Sequence, residues 1–284
     1  MVTFTNKRYG IDIVSDRIRI AGRTSSAGRI IVDLLNDYDA DDFGPDTVGP
    51  DGDFYFSISE KEAIIKWVTI RPEGNLDPIK LIQFELVGTL ADSNNDYYFD
   101  CSYTDPKSKN LAIAYNRNFI GQKIESLQEK IPKPSGFRLR SLAMASAYIN
   151  YCLRESGQHV CLVDISPGSC SYCFLKDDNP ILIGGLENGI GEKQEIEKDS
   201  DKSVVDLSAM LQYELSKIAR DGYSVPLSAI IITGLMTDSA MITKIEESMK
   251  VKTITPRLRK ESFNEDIYSE AGKYLVSLGL TVDF

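Results

Sequence analysis

Three short strand-like runs open the chain, RYGIDIV, DRIRIAG and GRIIVDLL, the second of them alternating apolar with polar residues. Period-two alternation predicts β-strands, and the turn residues between the runs predict antiparallel hairpins. FYFSIS and AIIKWVTI are two further β-rich runs. Asp77-Pro78 then starts a helical pattern with Ile79, Ile82, Leu86 and Leu90 on one side, and proline suits its first turn. Strand-like DYYFDCSY and NLAIAY follow, after which Asn118 is placed to cap a helix carrying Ile120, Ile124, Leu127 and Ile131.

Pro132-Lys133-Pro134-Ser135-Gly136 reads as a boundary, and SLAMASAYINYCL beyond it as a buried helix. The opening scheme then returns as HVCLVDIS, SYCFLKD and PILIGGL. A charged connector from Lys193 to Lys202 leads to an amphipathic helix, VVDLSAMLQYELSKIA. AIIITGL is a buried, parallel-type strand, followed by the helices SAMITKIEESMK and YSEAGKYLVSLGL. The chain therefore reads as two related halves, with an extra α/β unit inside the first.

Composition narrows the functions open to such a chain. Its 284 residues suffice for two lobes, and 42% hydrophobic with 26% charged residues is ordinary globular usage. The net charge of −10 argues against nucleic acid and anionic membrane surfaces as partners. Five cysteines, an odd number, argue for a reducing compartment. The start, MVTFTNKRYGIDIV, has no apolar stretch of signal-peptide length and no run of ~18 apolar residues is present, so neither an export signal nor a membrane span is expected, and a cytoplasmic location is.

His159 is the single histidine and precedes an apolar strand, which leaves little for serine–histidine–aspartate hydrolysis or multi-histidine zinc chemistry. Cys170 and Cys173 spell C-x-x-C on a strand, where residues three apart face opposite ways, so core packing is the expectation. The acidic stretch from Asp37 to Asp53 has Asp42 and Val48 where a calcium loop needs glycine and glutamate, and reads as a solvated loop.

Chemistry is concentrated in two copies of one pattern. Gly10-Ile11-Asp12-Ile13 and Leu162-Val163-Asp164-Ile165 are apolar strands that reach an aspartate and then turn. In such hairpins the turn amides can face phosphate, and the carboxylates can hold magnesium through water. With Ile230-Ile231-Ile232-Thr233-Gly234 downstream, this order resembles the actin-like ATPase superfamily: two phosphate loops, then an adenosine strand ending in T-G. Within it the chain is similar to the PilM family of pilus assembly proteins and its secretion relative GspL, over nearly its whole length.

The resemblance implies an actin-like, two-lobed α/β fold of duplicated ribonuclease H-like lobes. Residues 1–61 and 131–157 would form the first lobe, 62–130 an inserted α/β subdomain, and 158–284 the second lobe. It implies nucleotide contacts from Asp12, Ser15, Asp164, Gly168, Ser169 and Gly234, with Asp12 and Asp164 meeting metal only as magnesium–nucleotide.

Three departures weigh against those contacts. Ile13 and Val14 follow Asp12 where glycine is usual, Pro167 removes a donor from the second loop, and Leu235-Met236 replace glycines beside the adenosine strand. The expectation is a scaffold with degenerate nucleotide loops and no cofactor, which binds the cytoplasmic tail of a PilN-like or GspL/GspM-type inner-membrane protein. Trp67, Phe84 and Tyr115 are the candidate partner-binding side chains. An ATPase or kinase using Mg-ATP is the alternative, and a filament former like FtsA a third.

Overall fold

The computed structural model describes residues 6–26, 29–44, 47–48, 51–70, 77–90, 96–102, 109–127, 133–155, 157–187, 200–220, 226–235 and 237–282. In its first half the strands are β1 (Asn6–Val14), β2 (Arg17–Ser26), β3 (Arg29–Asp39), β4 (Asp53–Ile58), β5 (Ala63–Val68), β6 (Tyr97–Cys101), β7 (Asn110–Asn116) and β8 (Gly136–Leu139). Helices α1 (Pro78–Val87), α2 (Arg117–Leu127) and α3 (Arg140–Tyr151) belong with them. The second half has β9 (His159–Ser166), β10 (Ser169–Lys176), β11 (Asn179–Glu187), β12 (Ala229–Thr233) and β13 (Thr253–Ile254). Its helices are α4 (Ser200–Arg220), α5 (Ser239–Met249), α6 (Glu265–Tyr268) and α7 (Leu275–Leu280).

Two compact units result: Met1–Ser57 with Pro132–Phe284, and Ile58–Ile131. The larger contains two lobes, each built on a five-stranded sheet, ordered β3-β2-β1-β4-β8 and β11-β10-β9-β12-β13. These are one plan used twice. In each, hairpins join three antiparallel strands, and the first of them pairs in parallel with a fourth, β1 with β4 and β9 with β12. The β10–β11 turn places Asp177 and Asp178 at φ 48° and 65°, the left-handed pair that suits a tight hairpin's twist.

Helices α3 and α7 join the two sheets. They pack on each other, α7 also lies on β1 and β2, and α3 reaches β9, β10 and β11. Leu275, Val276, Leu278 and Leu280 of α7 are at most 1% exposed, and each contributes about 1.5–3 kcal/mol of burial. Glycine makes this approach possible. A Cβ on Gly10 would overlap the Ser277 carbonyl oxygen, and one on Gly279 that of Ala143.

The smaller unit is an antiparallel sheet ordered β5-β7-β6, with α1 packed on it through Ile82 and Leu86. Asp77 caps α1, accepting the Ile79 amide at 3.0 Å, and Pro78 sits in its first turn.

Four local expectations need correction. Helix α2 is capped by Asn116, which accepts the Phe119 amide at 3.1 Å, and not by Asn118. The last helix is broken into α6, a 3-10 turn over Ala271–Tyr274, and α7, because Tyr274 leaves helical geometry at φ −109° and ψ 22°. Asp37 and Asp39 belong to β3 and not to a loop; both receive hydrogen bonds from Arg17 across the hairpin, at 2.5–3.1 Å. Of the charged connector, residues 193–199 lie outside the described residues and 200–202 are the first turn of α4.

Candidate functional site

The duplicated hairpins set the geometry. A two-residue turn, Ser15-Asp16, fixes the β1–β2 register so that Asp12 stands opposite Arg19. The turn Pro167-Gly168 does the same for β9–β10 and puts Asp164 opposite Ser171. The two aspartates thus occupy equivalent places, one per lobe, and both are fully buried.

What they face is cationic. Arg19 Nη2 donates to Asp12 Oδ2 at 2.5 Å, to Asp164 Oδ1 at 3.2 Å and to Ser166 Oγ at 3.1 Å. Its Nη1 donates to Asp164 Oδ2 at 3.3 Å and to the Lys273 carbonyl at 2.9 Å. Arg140 opens α3. Its Nη2 reaches Asp164 Oδ1 at 2.6 Å, and its Nη1 reaches Ser169 Oγ at 2.9 Å. Arg140 Nε lies 3.2 Å from Asp12 Oδ1 but is poorly aligned for a hydrogen bond, so this contact is an ion pair. Ser166 Oγ completes the group by donating to Asp164 Oδ1 at 2.7 Å.

Burial alone would raise the pKa of Asp12. The Arg140 and Arg19 guanidiniums, with the Ser57 hydroxyl, outweigh it and hold the carboxyl below its usual range. Burial alone would likewise lower the pKa of Arg19, and the Asp164 and Asp12 carboxylates overcome it and raise it. Two carboxylates and two guanidiniums cancel in formal charge, which is what permits this group to be buried at all.

The turns also touch. Ser15, at φ 53°, donates from Oγ to the Pro167 carbonyl at 3.1 Å, and a Cβ on Gly168 would sit 3.5 Å from the same Oγ. Gly234, at φ 104°, presses on β9 so closely that a Cβ would overlap the Ile165 carbonyl. The structure therefore brings Asp12, Ser15, Asp164, Gly168, Ser169 and Gly234 to one place.

Gly234 also lines a cavity of about 540 Å³, walled by Thr233, Thr237, Pro256, Tyr268 and Lys273 among others. Neither aspartate lines it. Leu235, expected to crowd this side, is not among its described lining residues, and Met236 lies outside the described residues.

Arg19 and Arg140 are the residues that sequence reasoning missed. Arg19 had a signal, because a two-residue turn at Ser15-Asp16 forces it opposite Asp12; Arg140 arrives from a distant helix and had none. Among the described residues, no three His, Cys, Asp or Glu side chains gather as a metal site. Cys170 and Cys173 are buried thiols.

The candidate partner residues separate in the smaller unit. Phe84 on α1 is 74% exposed, and Trp67 on β5 is half-buried. Tyr115, the third candidate, is buried at 7% exposure on the central strand β7. Exposed Tyr98, with the Arg117 guanidinium 4.5 Å over its ring, and Ile64 were not foreseen.

No family model matches this sequence, and no curated protein does. Solved structures do. A chain of a PilM-PilN type IV pilus biogenesis complex superposes with a TM-score of 0.69 at 12% identity, covering 96% of this chain and 97% of that one. A Bacteroides thetaiotaomicron protein with an actin-like ATPase fold follows at 0.50 and 8% identity, covering 98% and 96%. The chain has the actin-like fold. The cytoplasmic domain of EpsL, an inner membrane component of the Vibrio cholerae type II secretion system, gives 0.47 at 10% identity, covering 82% and 84%. In sequence, Ile58–Ile131 interrupts the larger unit. No helix among its described residues is long and apolar enough to cross a membrane.

Proposed function

We propose that this chain is a cytoplasmic scaffold of a type IV pilus or type II secretion assembly platform, which binds the tail of an inner-membrane partner and does not turn over nucleotide. The likeness to the PilM-PilN complex along the whole chain supports the platform role. The observation that carries the reading is the buried set of Asp12, Asp164, Arg19 and Arg140. Magnesium takes near-octahedral oxygen ligands and keeps several of its waters. Around these carboxylates the space belongs to N–H donors whose charge repels a divalent cation, so the residues do not fit magnesium–nucleotide.

The smaller unit suits the binding role. Among the described residues its sheet has two edge strands, β5 and β6, on which an extended tail can add main-chain hydrogen bonds, and exposed Phe84 and half-buried Trp67 supply apolar contacts. Titrating a peptide from the cytoplasmic tail of an inner-membrane assembly protein tests this. Phe84→Ser should weaken binding about tenfold or more while leaving the melting temperature unchanged. Equal affinity of wild type and variants at Phe84 and Trp67 would place the interface elsewhere.

The second reading, an enzyme using Mg-ATP, draws on the cavity beside Gly234, whose size is that of a small-molecule site. It requires both arginines to leave, and each buried carboxylate so exposed to its neighbour costs several kcal/mol, on the order of 3–5.

A further inference from the structure

Three features of the ion cluster go beyond a merely tolerable buried salt bridge. First, each arginine spans the lobes: Arg19 comes from the first sheet and bonds Asp164 and Ser166 of the second, and Arg140 contacts Asp12 on one side and Asp164 and Ser169 on the other. Second, Arg140 stands at the first position of α3, where the helix dipole disfavours a cation and Leu139 gives no side-chain cap. The carboxylates account for its being there. Third, the turns that flank the cluster are in direct contact through Ser15 and Pro167, so nothing remains to be bridged between them.

We infer that Arg19 and Arg140 form a permanent ionic clamp between the two lobes, and that the Asp12–Asp164 pair beneath it is a latent divalent-cation site filled by the protein's own guanidiniums. The inference rests on the scaffold reading in that the lobes are fixed without nucleotide. Two facing buried carboxylates cannot both stay ionised alone. A proton on one of them, a metal ion or cationic side chains can relieve that repulsion, and this chain supplies two guanidiniums. The lobes are thereby held in one arrangement whatever the magnesium or nucleotide concentration.

Thermal melting of three proteins tests the clamp, each in chelator and with magnesium, manganese or Mg-ATP. Wild type should not respond to any of them. Arg19→Met with Arg140→Met should melt on the order of 10 °C lower in chelator and recover much of the loss when manganese or magnesium is added. The same double variant with Asp12→Asn and Asp164→Asn has no charge to satisfy, and should fold and ignore cations. Hydrogen exchange on Arg19→Met alone should speed up in both hairpin turns, residues 14–17 and 166–169.

Wild type stabilised by Mg-ATP would overturn the clamp together with the nucleotide-free part of the scaffold reading. A double variant that ignores cations, or that fails to fold with or without them while the fully neutral variant folds, overturns the clamp alone. So does faster exchange confined to one turn. Failure of folded wild type to bind tail peptides would instead remove the scaffold reading and leave the clamp standing.

Discussion

A carboxyl removed from water ordinarily takes up a proton, and Asp12 does the opposite because Arg140 and Arg19 lie against it, with Asp164 sharing both guanidiniums. Its pKa falls below the ordinary 3.8, so the native state binds this proton less tightly than the unfolded chain. The stability it contributes is fully present above that value and is lost as pH falls through the lower, folded one. Stability should therefore hold from neutral pH to about pH 5 and then drop through the acid range, with Asp12→Asn flattening part of the drop. Chemical denaturation against pH checks this; an acid limb unchanged in Asp12→Asn would contradict it. At this scale the sequence was half legible. The aspartates declared themselves by repetition; Arg19 was missed although its place opposite Asp12 in the hairpin is a signal, and no local pattern connects Arg140 to residues so far along the chain.

Among elements, the strands were the easiest to read: β6 alternates between buried and exposed, while β7, β9, β10 and β12 are short apolar runs buried on both faces and bounded by turn residues. Helix ends were harder. Asn116 and Asn118 are both plausible caps two residues apart, and only the position of β7 decides between them. The close seating of α7 was illegible, because it depends on what Gly10 and Gly279 meet from elsewhere. It is also where a small change should matter most. Gly279→Ala must push its new methyl into the Ala143 carbonyl, so we expect a loss of about 1–3 kcal/mol in denaturant unfolding, whereas Gly121→Ala, which meets nothing within 4 Å and lies inside α2, should be neutral or slightly stabilising. Equal stability of the two variants would mean that α3 and α7 do not pack as tightly as their backbones indicate.

The whole molecule is a duplicated pair of sheets with a separate unit set into the first half, and the order of elements alone was enough to expect that plan. What order could not supply was the relation between the halves, because ion pairs across such a distance in sequence leave no periodic trace. Two proposals meet at this scale, that the chain binds a membrane protein's tail and that nucleotide has no part in it. Calorimetric titration of a tail peptide into the protein, once in chelator and once with saturating Mg-ATP, tests them together. The account predicts binding in both, with the same dissociation constant. Binding that appears only with Mg-ATP, or tightens tenfold or more when it is added, would contradict it.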